Sequence, residues 1–84
     1  MKIIVVAVRD RQLNSFGRPW YASTRGQAVR SFSDEVNRAA QDNQLYQHPD
    51  DFELFLLATF DEEVGRFANL DSPEQLAVGS NVKK

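Results

Sequence analysis

The segment Ile3-Ile4-Val5-Val6-Ala7-Val8 is apolar at every position and β-branched everywhere except Ala7. β-Branched side chains are stiff at χ1 and crowd a helix, whereas on a pleated surface they pack well. A short run of this kind without alternation predicts a central strand covered on both faces, the spine of a sheet. It is too short for a signal-peptide core or a membrane span, and it stops at Arg9-Asp10-Arg11. No other segment reads as an export or anchoring signal, so no membrane partner is expected.

One strand of this kind organises one core. A chain of 84 residues buries roughly 60–65 % of its unfolded surface, which supports a single domain over residues 1–84 and makes self-association favourable. With no cysteine there is no disulfide framework and no thiolate metal site, as suits a reducing cytoplasm. A hydrophobic fraction of 42 % with four glycines and three prolines excludes a disordered chain.

After the first strand, Asn14, Ser15 and Gly17 carry turn chemistry, and "RPWYAS" reads as an extended segment that forms a hairpin onto it. Thr24 to Gln27 matches a capping box, and Val29, Phe32, Val36 and Ala39/Ala40 recur at helical spacing, so one amphipathic helix is expected over about residues 25–41. Arg30, Asp34 and Arg38 then alternate in charge on its wet side. "QDNQLYQHPDD" reads as a connection. From Phe52 to Phe60, alternation places Phe52, Leu54, Leu56, Ala58 and Phe60 on one face of a second strand. "DEEVG" is a hairpin loop, "RFANL" its return strand, Ser72-Pro73-Glu74 a brief helical turn, and "LAVGSNV" a last short strand. The expected fold is α+β, a mostly antiparallel sheet of about four strands with one helix packed on it.

Catalytic chemistry is poorly supplied. His48 is the single histidine and sits in a turn, so no Cys/His or Ser/His/Asp constellation can be built without it. Asp50, Asp51, Asp61, Glu62 and Glu63 read as solvated turn carboxylates rather than a cation site, and the glycines are too scattered for a phosphate-binding loop. The chain is expected to be no enzyme and to need no cofactor or metal.

The charge is divided. Residues 1–40 carry seven basic groups against three acidic, a net of +4, and residues 41–84 carry three against nine, a net of −6. Within "RDRQLNSFGRPWYASTRG" lie Arg9, Arg11, Arg18 and Arg25 together with Phe16, Trp20 and Tyr21. Cations that follow phosphates and aromatic faces that stack bases are the ingredients of a single-stranded nucleic-acid site. Guanidinium groups can both fork onto phosphate and stack, which lysine cannot. The plainer reading is that Trp20 or Tyr21 fills the core and that the arginines pair with the acidic half.

"RSFSDEVNR" followed by "LYQHPDDFELFLLATFDEEVGRF", with "MKIIVVAVRD" at the start and "FGRP" between, resembles the small non-structural protein of gokushoviruses, single-stranded DNA phages of the Microviridae. The resemblance covers roughly residues 1–70. Val64, where a polar residue is expected, and the segment after Asp71 depart from the pattern. The resemblance implies a phage protein of the infected bacterial cytoplasm, associated with genome replication or the switch to single-strand synthesis and packaging. The combined expectation is a homodimer or larger assembly that binds single-stranded DNA without strong sequence preference. Arg9, Arg11, Arg18, Arg25 and Arg30 would take phosphates, and Phe16, Trp20 and Tyr21 would take bases. The alternative is a module that binds viral or host replication or assembly proteins through its acidic half, without touching DNA.

Overall fold

In the computed structural model, which describes residues 1–84, the opening apolar run becomes strand β1 (Lys2–Asp10), the middle of an antiparallel sheet. On one side β1 pairs with two short strands, β2 (Ser15–Phe16) and β3 (Trp20–Ala22), and the hairpin between β1 and β2 turns through Asn14 at φ 54°. On the other side it pairs with β4 (Phe52–Asp61) along its whole length. Strand β5 (Arg66–Val78) lies beyond β4 and forms the far edge. The turn between β4 and β5 is the expected one, with Gly65 at φ 70°.

The sheet expected from the sequence is present, but three helices stand where one was expected. Helix α1 (Arg25–Val36) runs along one face of the sheet, and α2 (Gln44–Gln47) and α3 (Gly79–Val82) are single turns. The segment expected to be a plain connection holds α2 and a 3-10 turn at Pro49–Asp51. Thr24 caps α1 by accepting the Gln27 amide at 3.1 Å, and the Gln27 side chain reaches back to the amide of Ser23 rather than to that of Thr24. Ala28, Phe32 and Val36 are the residues α1 buries, and they meet Ile4, Val6, Ala22, Phe52, Leu54 and Leu56 in one core. The expected Arg30/Asp34/Arg38 ladder is replaced by an Arg38–Glu35 pair at 2.7 Å.

Helix α1 ends at Val36 rather than near residue 41 because two asparagines take over its carbonyls. Asn37 donates its side-chain amide to the carbonyls of Ser33 and Val82, tying α1 to α3. Asn43, the one buried polar residue, donates to the carbonyls of Glu35 and Arg38 and accepts the Leu45 amide, so it closes α1 and opens α2 at once. The start of α3 packs so closely on the 3-10 turn that a Cβ at Gly79 would overlap the carbonyl oxygen of Pro49.

The β1–β4 ladder shifts register between Val5 and Val6, where Val5 faces Ala58 and Val6 faces Leu56, leaving Leu57 as the extra residue of a bulge. Phe52, Leu54 and Leu56 therefore face the helix with Val6 and Val8, whereas Ala58 and Phe60 pair with Val5 and Ile3 on the opposite face. This corrects the single five-residue face expected for β4. Strand β5 is continuous through the expected helical turn at Ser72–Glu74. Residues 70–73 stand outside the ladder between the Asn69 and Glu74 pairings, so Pro73, which has no amide hydrogen, costs the strand no ladder bond.

Replacing Asn43 by alanine should cost about 1–3 kcal/mol in a denaturation experiment, because backbone carbonyls lose their donor inside the fold. Gly79→Ala should also destabilise, whereas Gly26→Ala, whose Cβ would meet only Thr24 Oγ1 at an ordinary 3.9 Å, should not.

Candidate nucleic-acid interface

Alternation along β1 sends Ile4, Val6 and Val8 to the helix and Ile3, Val5, Ala7 and Arg9 to the other face, which no helix covers. The strand registers lay out that face in rows. Phe16 and Glu53 flank Arg9, and Phe55 stands beside Ala7 with Gln75 next to it. In the following rows Tyr21 and Ala58 flank Val5 with Asn69 beyond, and Phe60 stands beside Ile3 with Phe67 beyond. The floor is small and buried, since Val5, Ala7 and Ala58 lie outside the helix-side core yet are covered.

Five aromatic rings stand on this floor in two groups. Phe16 and Phe55 meet edge to face at 5.6 Å between centroids. Tyr21 meets Phe60 at 6.1 Å, and Phe60 meets Phe67 at 4.8 Å. Phe16, Tyr21 and Phe67 remain 42, 56 and 58 % exposed. About four residues of β1 separate the groups, on the order of 13 Å along the strand.

The residues anticipated for a DNA site are divided by this geometry. Arg9, Phe16 and Tyr21 share the open face. Trp20, the neighbour of Tyr21, points the other way and packs against the helix-side core, so its indole is not part of the aromatic face. Arg25 begins α1 and Arg30 lies on its exposed surface, both on the covered side of the sheet. Arg11 sits in the β1–β2 turn and donates to the carbonyl of Asp50 at 3.3 Å, and Arg18 lies on the β2–β3 connection. Arg11, Arg18, Arg30 and Arg66 pair with no carboxylate. Phe55, Phe60 and Phe67 were not anticipated, because they belong to the acidic half of the chain. For Phe55 the signal was that, with Leu57, it puts apolar residues among Glu53, Thr59 and Asp61 on the second parity of β4, so that face is mixed rather than polar.

The two halves of the chain also meet directly. Arg9 pairs with Glu53 at 3.3 Å and Arg25 with Glu74 at 2.9 Å. The hydrogen bond from Arg25 holds the Glu74 carboxyl below the usual carboxylate range, and that from Arg38 does the same for Glu35 against an opposing effect of burial. The other carboxylates do not assemble: Asp50 and Asp51 precede β4, Asp61 ends it, Glu62 and Glu63 follow it, and no group of three ligating side chains is placed to hold a metal ion. His48 is exposed and borders a shallow groove of about 410 Å³ with Asp10, Gln12 and Asp51, whose lining contains no serine, threonine, cysteine or lysine. No helix is long and apolar enough to cross a membrane.

A family model described as Phage ORF5 protein matches residues 3–82. A relative from Chlamydia phage 1, a gokushovirus of the Microviridae, carries the name Protein ORF5. It is 28 % identical over 74 residues, covering 86 % of this chain and 77 % of its own length. No solved structure matches significantly.

Tyr21→Ala and Phe67→Ala should each cost only about 1 kcal/mol of stability, the scale of one aromatic pair, against about 3–5 kcal/mol for Phe32→Ala in the core. Thermal unfolding of the three variants checks this. A folded-state pKa lowered at Glu74 means that its pairing stabilises above the ordinary carboxylate range and is lost as pH falls through the lowered value. Arg25→Ala should therefore return the Glu74 titration, followed by NMR, toward the ordinary range.

Proposed function

The chain belongs to the Phage ORF5 protein family, and on that premise we propose that it is a non-enzymatic phage protein that binds single-stranded DNA on the uncovered face of its sheet. The observation that carries this reading is the row of five aromatic rings on that face, three of them broadly exposed. Flat rings on a floor of alanine and valine offer π-faces to unstacked bases, and stacking of this kind is tolerant of sequence. A duplex, whose bases are already stacked, has nothing to place there.

Cations at the rim supply the phosphate contacts. Arg18 lies between Phe16 and Tyr21 in the chain, and Arg11 lies in the turn at the Phe16 end; neither is neutralised by a carboxylate. Arg25, held by Glu74, and Arg30, across the helix, have lesser roles in this reading, and Trp20 serves the core. Self-association belongs to the proposal as well, because β5 and the β2–β3 side are free edges. The acidic-docking alternative is less well supported. Its carboxylates stand at opposite ends of the ten-residue β4, on the order of 30 Å apart, and make no common surface.

The test is anisotropy of labelled oligo-dT titrated with protein at several salt concentrations. Binding should weaken with salt, by a slope of about 0.7 per phosphate contacted. Tyr21→Ala and Phe67→Ala should each lose about 1–3 kcal/mol of affinity while remaining folded. No binding at low salt would overturn the proposal and leave a protein partner for the aromatic face.

A further inference from the structure

The Phe16 end of the open face differs chemically from the Phe60 end. Arg9, Glu53 and Gln75 stand there on the same face as the Phe16–Phe55 pair: Arg9 is in register with Phe16, Glu53 with Arg9, and Gln75 with Phe55. Glu53 accepts from Arg9 Nη1 at 3.3 Å and from Gln75 Nε2 at 2.7 Å, and Arg9 also donates to Asn14. The Glu53 side chain is 13 % exposed, so its charge is largely withdrawn from water and held by these two donors.

The cluster is not saturated. A carboxylate has about four lone-pair sites and a guanidinium five N–H donors, so Glu53 can accept further bonds and Arg9 can donate more. The Gln75 amide oxygen also has spare acceptor capacity. A ring stacked on Phe16, the exposed member of this edge-to-face pair, would thus lie beside acceptors and one cationic donor. The edge that complements them has an amino group next to a ring acceptor, as cytosine does with N4–H₂ and N3. Thymine has the same size and stacks comparably, but in the pose that sets cytosine N4–H₂ against Glu53 and N3 against Arg9 it presents O4 to the carboxylate and N3–H to the guanidinium, so both contacts are mismatched.

We propose that Glu53, oriented by Arg9 and Gln75 beside the Phe16–Phe55 pair, reads the edge of the base stacked there and favours one with an exocyclic amino group, cytosine over thymine. This rests on the DNA-binding reading above and adds one selective position to a site that is otherwise tolerant of sequence. Repulsion of thymine contributes to the selection together with attraction of cytosine, because discrimination is a difference between two affinities.

The experiment compares labelled oligo-dC and oligo-dT of equal length by anisotropy at pH 8, where cytosine is uncharged, for the natural protein, Glu53→Gln and Gln75→Leu. The natural protein should bind oligo-dC about 5- to 100-fold more tightly. Glu53→Gln keeps the shape and can turn its amide N–H₂ toward thymine O4, so the preference should vanish or invert while overall binding persists. Gln75→Leu, at an exposed position, should reduce the preference and serves as the second variant should Glu53→Gln unfold. Equal binding of the two oligonucleotides by the natural protein, or a preference unchanged in the folded variants, overturns this inference and leaves the DNA-binding reading standing. Absence of binding to both overturns that reading and this one together.

Discussion

The antiparallel pairing of β1 with β4 is the constraint on which the rest of the molecule depends. It runs from Lys2–Asp61 to Asp10–Phe52 and is broken once, at the Leu57 bulge. A side-chain period of two means that one added residue exchanges the faces of everything beyond it. Before the bulge β4 gives Phe52, Leu54 and Leu56 to the helix, and beyond it the strand gives Ala58 and Phe60 to the open side. Were Leu57 instead paired in a regular ladder, Phe60 would face the covered side, and the group with Tyr21 and Phe67 would lose its central ring.

Much of the frame was legible in the sequence because the signals were local. The β-branched run marked the central strand, Thr24 marked the start of α1, and Gly65 marked the tight turn. What escaped depends on partners distant in the chain. The helix stops early because Asn43, some seven residues beyond its end, takes its carbonyls, and no propensity at Arg38 to Ala40 announces this. From the sequence β1 was expected to be covered on both faces, with one helix packed on the sheet. The floor of the face without a helix is instead shielded in part by rings projecting from neighbouring strands, which a pattern of apolar residues alone cannot distinguish from a second layer.

The charge division illustrates the same limit. Read along the chain, seven basic groups in the first half suggest one continuous polyanion track. In space Arg9 and Arg25 meet Glu53 and Glu74 from the acidic half, and Arg30 stands behind the helix. The aromatic component was underestimated for the complementary reason. Three of the five rings come from the acidic half, and they reach Phe16 and Tyr21 because β4 and β1 are neighbours in the sheet. Composition locates the ingredients of a site, and strand order decides which of them share a surface.

The distance in sequence between β1 and its principal partner has a consequence in time. The first β4 residue that β1 meets, Phe52, lies about forty residues after Asp10. At a synthesis rate of roughly 5–20 residues per second, the apolar strand leaves the ribosome some 2–8 s before that partner exists. Throughout that interval its ladder groups are open to any other extended chain. The β2 and β3 segments follow β1 directly and pair with one side of it, so they can cover half of this exposure first. The short hairpin return that carries Phe16 and Tyr21 thus also leaves a nascent chain with one side of its spine closed to pairing with neighbouring chains.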